Sequence, residues 1–306
     1  MKVAIIGQQD FGKAVLEAFL ARGDEVVGVF VAPEKPGARP DPLRLEAEAK
    51  GVKLFQIAKF TEPAAHDALK GLGADVGIMA YVLIFVPQSI CAIPKHGTIQ
   101  YHPSLLPLHR GPSSINWPII KGHKKTGLTI FRPSDGLDEG PVVLQKECAI
   151  GPDDTLGSIY FDKLFPQGVS AMLEAADLVV AGKAKEVVQD ESQATYEGWV
   201  REAESRIDWA HPIDQTYDLI RGCNPQPGAW TMLDGKKLFL YDAKKRIART
   251  FGEVRGKKIG QVTAVGPKTI TIHGQGGFID VERLRLGDGK KVAAGEAGIV
   301  EGAVCG

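Results

Sequence analysis

A chain of 306 residues exceeds one average domain, so two are expected, and a hydrophobic share of 44% gives each enough material for a core. Its 37 basic and 37 acidic side chains cancel, which leaves no global field to recruit nucleic acid or an anionic membrane. The longest apolar runs, such as DVGIMAYVLIFVP at 75–87, fall short of the roughly 18–20 residues a membrane span requires.

KVAIIG at the start is a short apolar strand rather than a secretion signal, and FGKAVLEAFLARG, with apolar residues at helical spacing and a closing Gly23, is a helix. EVVGVFV is a strand, PLRLEAEAKG a helix, VKLFQI a strand and EPAAHDALKGLG a helix. DVGIMAYV and GTIQYH are strands, and SSINWPIIKG is a helix starting near Ser113 or Ser114. TGLTIFR and PVVLQKECAI are strands on either side of a Gly-rich turn. A long helical stretch, DTLGSIYFDKLFPQGVSAMLEAADLVVAG, is expected to break near Pro166-Gln167-Gly168.

Strands separated by helices imply an α/β fold: a Rossmann-like, mostly parallel sheet with helices on both faces. At 184–204 the composition turns polar without a period, which reads as a linker. A helix, IDQTYDLIRG, follows, and then short strands: GAWTML, KKLFLYDAKKR, KIGQVTAV, KTITIHG and GFIDVERLRL. That spacing suggests a small β-barrel or open sandwich. The domains expected are 1–203, catalytic, and 204–306, a small C-terminal OB-like barrel. Four cysteines (Cys91, Cys148, Cys223, Cys305) without a CxxC pair suit a reducing, cytoplasmic setting.

Two segments carry chemistry. IQYHPSLLPLHRGPSSINW at 99–117 puts His102 just past an apolar strand, where ligands of such folds bind. FRPSDGLDEGP at 131–141 sets Asp138 in a turn between two apolar runs, and a histidine with a carboxylate can form an acid/base pair. Each has a plainer reading. His102 can cap a loop carbonyl, Asp138 can be an ordinary turn aspartate, and Ser104 can make a local backbone hydrogen bond. His96, His109 and Asp135 compete for the same roles, although His109 sits beside Arg110 in a loop that reads as solvated.

GQQDFGKA at 7–14 nearly matches a phosphate-binding loop, but Ala14 stands where a hydroxyl should hold magnesium, and GxGxxG spacing is absent. A tight turn needing small residues explains it better. No metal-ligand spacing and no GxSxG elbow occurs. The run MAYVLIFVP at 79–87 reads as buried core, or as an apolar wall able to hold a flat heteroaromatic ring.

Taken together, these residues resemble the 10-formyltetrahydrofolate-dependent formyltransferase family. HPSLLPLHRGPSSINW (102–117) is similar to its signature loop and DGLDEG (135–140) to its aspartate turn. RIDW (206–209) and IRGCNPQPGAW (220–230) are similar to the junction with its C-terminal barrel. Within the family, IIGQQDFG, DPLRLEAEAKG, INWPIIKG, LQKECAI and ATYEG look like the branch formed by the N-terminal hydrolase domain of 10-formyltetrahydrofolate dehydrogenase.

The resemblance implies a working trio of Asn, His and Asp. His102 and Asp138 fall on its second and third positions, and Gln100 replaces the Asn that steadies an oxyanion. It implies a pterin pocket of Ile84, Phe85, Val86, Ser104, Leu105, Leu106 and Pro107. The implied activity moves the formyl group of 10-formyltetrahydrofolate to water, giving tetrahydrofolate and formate, or to an amine. Methionyl-tRNA or an amino sugar are the alternative acceptors, and a catalytically weak folate-binding module is the alternative of another class. The folate is the small-molecule partner, with no metal, no NAD(P) and no membrane, and the oligomeric state is left open. A tRNA acceptor is disfavoured because APEKPGARPDPLRLEAEAKG (32–51) is short and charge-balanced. The chain ends at EGAVCG with no carrier or aldehyde-dehydrogenase domain, so formyl oxidation to carbon dioxide is not expected on this polypeptide.

Overall fold

Near-continuous apolar strands need cover on both faces. The computed structural model describes every residue from Met1 to Gly306. In it β1 (Lys2–Gly7), β2 (Glu25–Val31), β3 (Leu54–Gln56), β4 (Val76–Ala80), β5 (Thr98–His102), β6 (Lys125–Phe131) and β7 (Val142–Ala149) make one sheet. Its order is β3-β2-β1-β4-β5-β6-β7. The connecting helices are α1 (Gln9–Ala21), α2 (Pro42–Ala49), α3 (Pro63–Gly71), α4 (Gln88–Cys91), α5 (Asn116–Ile120), α6 (Leu156–Ser158) and α7 (Phe165–Val180).

Alternation along the strands sends side chains to opposite faces. Ala4 and Ile6 of β1 pack with Ala65 and Leu69 of α3 and with Ile90 and Cys91 of α4. On the other face α1 and α7 pack together, and Phe11 stacks on Tyr101 of β5 with ring centroids 4.3 Å apart. No helix is long and apolar enough to cross a membrane.

Strands β1 to β5 are parallel, as expected, but β6 runs antiparallel to β5, with Gln100 opposite Phe131 and His102 opposite Thr129. A parallel neighbour requires a crossover to the far end of the sheet. Here the loop leaving β5 is fastened to the returning strand instead. The Thr129 hydroxyl donates to the Ser104 carbonyl at 2.7 Å and accepts from the Leu106 amide at 3.1 Å.

The long helical stretch does not break near Pro166-Gln167-Gly168; it stays helical from Leu156 to Val180 through a change of winding. A π-helical turn, Ile159–Leu164, follows α6, and α7 starts at Phe165. Pro166 then sits in the first turn of α7, where a missing N–H costs nothing, so the helix runs through Gly168.

Contacts divide the chain into two compact units: Met1–Gly111, Gly127–Glu147 and Lys163–Tyr196 form one, and Pro112–Thr126, Cys148–Asp162 and Glu197–Gly306 the other. The segment read as a linker is tied into the first unit as far as Tyr196. Val187 bridges to Val142, and Arg110 to Tyr196.

The second unit contains α8 (Ile213–Gly222) and an antiparallel sheet. Its strands are β8 (Ala229–Leu233), β9 (Lys236–Ile247), β10 (Val262–Val265), β11 (Ile270–Gly274), β12 (Gly277–Leu286) and β13 (Val292–Ala293). The path runs β10-β11-β12-β9-β8, with β13 on β12. Trp209, Ile213, Tyr217, Leu238, Leu240 and Ile279 are among its core.

Candidate active site

His102 is the last residue of β5 and is buried, 6% exposed. The loop after it doubles back over the ring, and the Nε2–H donates to the His109 carbonyl at 2.9 Å. That contact assigns the tautomer and turns Nδ1 towards Asp138, whose Oδ2 lies 3.6 Å away. The distance is too long for a hydrogen bond and leaves the ring and the carboxylate within electrostatic reach.

Asp138 reaches the ring from an unexpected direction. Because β6 is antiparallel, its last residue, Phe131, lies opposite Gln100, and the chain then heads away from His102. The β6–β7 turn has to fold back, and Asp138 sits within it at φ 56°, in the left-handed region. Its Oδ2 accepts the Gly111 amide at 3.0 Å, while Oδ1 makes no hydrogen bond within the chain. One oxygen is pinned and the other is free to take a proton.

Left-handed non-glycine residues mark this end of the molecule. Gln9, the first residue of α1, and Tyr81 and His109, in the loops after β4 and β5, have φ of 60°, 61° and 57°, and Asp138 is the fourth here, with Asp234 and Asp242 in the second unit. Such conformations cost about 1–3 kcal/mol each and cluster where surrounding structure holds a site in shape.

Gln100 lies on β5 between Met79 and Phe131, half-buried, with its side-chain amide making no hydrogen bond within the chain. The apolar run after β4 is a loop rather than buried core: Tyr81, Leu83 and Phe85 are exposed, Ile84 is half-buried and Val86 is buried. Asp135 accepts the Gln88 amide at 2.8 Å, joining that loop to the aspartate turn, where Leu137 is also exposed. Together they present an exposed apolar rim, the kind of surface that marks a ligand site.

In the loop after β5, Ser104 is sealed and its hydroxyl donates to the Leu108 carbonyl at 2.6 Å, so its side chain is spent locally. Leu106 is buried, and Leu105 and Pro107 are half-buried. Gln145 donates to the Leu106 carbonyl at 2.9 Å. His96 stands at the opposite end of β5, away from the pair, and its carbonyl accepts from Arg132.

The glycine-rich turn after β1 has packing reasons. A Cβ on Gly7 would lie 2.1 Å from the Ala80 carbonyl oxygen, so glycine lets β1 and β4 close up. The start of α1 is already occupied by an anion of the chain itself. Asp41, 6% exposed, accepts the Gln9 amide at 3.1 and 3.0 Å through its two oxygens, the Gln9 side-chain amide at 3.2 Å and the Leu43 amide at 2.9 Å. Ile6, Gly7, Gln8, Phe30, Val82 and Ile84 line a surface depression with no enclosed room.

Two expectations fail here. His109 and Arg110, expected in a solvated loop, are 4% and 0% exposed. Gln189, in the segment read as a linker, is 6% exposed and hydrogen-bonds the Asp138 and Gly140 carbonyls at 2.8 and 2.7 Å. An isolated glutamine among polar residues gave no sign of this.

Residues 1–176 match the family profile described as formyl transferase, and residues 200–298 match formyl transferase, C-terminal domain. The mitochondrial 10-formyltetrahydrofolate dehydrogenase of Mus musculus is 38% identical over 317 residues, covering 98% of this chain and 34% of the relative. The methionyl-tRNA formyltransferase of Geotalea uraniireducens (strain Rf4) is 32% identical over 301 residues, 97% of this chain and 94% of the relative. Among solved structures, HypX from Aquifex aeolicus in complex with tetrahydrofolic acid aligns with a TM-score of 0.69 at 19% identity, covering 96% of this chain and 46% of that one. The chain thus spans about a third of the length of the dehydrogenase it resembles.

Proposed function

Because this chain belongs to the formyl transferase family, we propose that it cleaves the formyl group from 10-formyltetrahydrofolate with water as acceptor, releasing formate and tetrahydrofolate. The observation that carries the reading is the buried His102–Asp138 pair at 3.6 Å beside the unbonded amide of Gln100.

The N10-formyl group is an amide, and its carbon resists attack until the carbonyl oxygen is stabilised and N10 can leave. In the proposed cycle Asp138 takes a proton from water through Oδ1, and the water oxygen bonds to the formyl carbon. The proton that Asp138 has taken passes to His102 Nδ1, and this Nδ1–H and the Gln100 amide donate to the oxyanion that forms. The C–N10 bond then breaks, N10 receives the proton held by the pair, and formate departs. The pterin would lie along Ile84, Phe85 and Val86 and against Leu105, Leu106 and Pro107, with Ser104 shaping the loop from within. The dehydrogenase relative supports this folate reading by its name.

Water is favoured over a phosphate-bearing amine because the N-terminus of α1 already holds the Asp41 carboxylate. Four free thiols fit a reducing, cytoplasmic setting, and the antiparallel unit fits a small OB-like barrel. A second reading, transfer to an aminoacyl-tRNA amine, is favoured by the methionyl-tRNA formyltransferase that this chain matches over 94% of its length.

The test is to incubate the protein with 10-formyltetrahydrofolate alone, with charged initiator tRNA and with an amino sugar nucleotide. Formate released without any acceptor is the expected result. Turnover only with tRNA or the sugar would replace the acceptor, and folate binding without turnover under all three conditions would leave a binding module.

A further inference from the structure

Three consecutive residues hold both members of the His–Asp pair. The His109 carbonyl takes the His102 Nε2–H at 2.9 Å, and the Gly111 amide donates to Asp138 Oδ2 at 3.0 Å. Between them, Arg110 is fully covered, at 0% exposure. It donates to Gln189 Oε1 from Nε at 3.2 Å and from Nη2 at 2.7 Å. It also donates to Glu191 at 2.9 and 2.7 Å, and to the Tyr196 hydroxyl. Tyr196 in turn donates to Glu139 at 2.9 Å.

Gln189 is therefore fixed at its oxygen, and its two N–H bonds are aimed the other way, at the carbonyls of Asp138 and Gly140 at 2.8 and 2.7 Å. A buried amide with its oxygen and both hydrogens matched to fixed partners has one orientation only. The groups it grips lie in a turn that must fold back from β6 and hold Asp138 at positive φ. Nothing else in that turn supplies two side-chain donors to its backbone.

We infer that Gln189, seated by Arg110, is the positioning residue that holds the Asp138 carboxylate against His102; the inference rests on the role proposed for that pair. Sequence distance hides the connection, since Gln189 lies 51 residues beyond Asp138. The arrangement works as a lever with its pivot at Arg110. The arginine's backbone neighbours set the imidazole and the carboxylate directly, and its side chain sets the carboxylate's backbone through one intervening amide. Gln189 touches neither substrate nor the reacting atoms.

The experiment compares the full-length chain with Gln189→Glu and Gln189→Met. Both keep the length of the side chain and lose both N–H donors. Glutamate retains a partner for Arg110, and methionine avoids a new charge. Turnover of 10-formyltetrahydrofolate, thermal melting, and hydrogen exchange of the Gly111 amide by NMR are measured on all three proteins. The expected result is a kcat about 10–100-fold lower, as for a carboxylate displaced by an ångström or less, with KM close to that of the unsubstituted chain and a melting temperature lowered only by the lost hydrogen bonds. Gly111 exchange should rise about tenfold, the factor expected when two hydrogen bonds to the turn are lost. Unchanged kcat and unchanged Gly111 exchange in both folded variants would overturn the assignment. So would losses of kcat, KM and melting temperature together in both, which would mean a general structural role. If the unsubstituted chain fails to turn over, the proposed function fails, and Gly111 exchange still decides whether Gln189 holds the turn.

Discussion

At the scale of single residues, the proposed site is two side chains and one amide whose environments differ. His102 has one ring nitrogen committed to a carbonyl and the other facing a carboxylate, while Gln100 carries no partner of its own. His102→Ala and Asp138→Asn are each expected to lower kcat by about 10²–10⁴-fold, the usual worth of a proton-transfer group. Gln100→Ala should cost about 10²–10³-fold if its amide meets the oxyanion, as for other single oxyanion donors. Steady-state kinetics on the three variants checks this, and a Gln100→Ala enzyme with unaltered kcat would remove Gln100 from the scheme. His102 and Asp138 were picked out in sequence because each carries a local mark, a strand end and a glycine-flanked turn, and the structure brings them to 3.6 Å. Gln189 was not, because a glutamine becomes buried only through what distant residues place around it.

At the scale of elements, one buried carboxylate organises the end of the sheet where α1 and α2 begin. Asp41 caps α2 through the Leu43 amide and also fills the start of α1 through the Gln9 amide, so one carboxylate ties both helices. Asp41→Ala is expected to lower stability by about 1–2 kcal/mol, the range for losing a helix cap. Chemical denaturation measures it, and formate release should stay within a few-fold of its original rate if no anion is bound there during turnover. The near-match of GQQDFGKA to a phosphate loop was correctly read as packing, and the Gly7–Ala80 approach supplies the reason. Strand direction was less legible. The apolar content of TGLTIFR says that β6 is covered on both faces, but not that it runs antiparallel to β5, with Thr129 bonded to the loop that leaves β5. That side-chain contact spans residues 25 apart and has no local signature.

At the scale of the whole molecule, the alternation of strands and helices was enough to give the parallel sheet and the separate antiparallel sheet, since long periodic segments speak for themselves. The extent of the first unit was harder to read. Its last stretch, up to Tyr196, is polar and aperiodic because it packs through hydrogen bonds to Arg110, Asp138 and Gly140 rather than through an apolar face. Formal charge is zero across 306 residues, so the chain offers no net field for a polyanionic acceptor. Water needs no such field. The most direct measurement is turnover of 10-formyltetrahydrofolate in H₂¹⁸O without any amine, with mass analysis of the formate. Hydrolysis by the His102–Asp138 pair predicts one ¹⁸O in each formate released, equimolar with tetrahydrofolate, and loss of that product in Asp138→Asn. Formate lacking the label, or folate that is bound and returned unchanged, would contradict it.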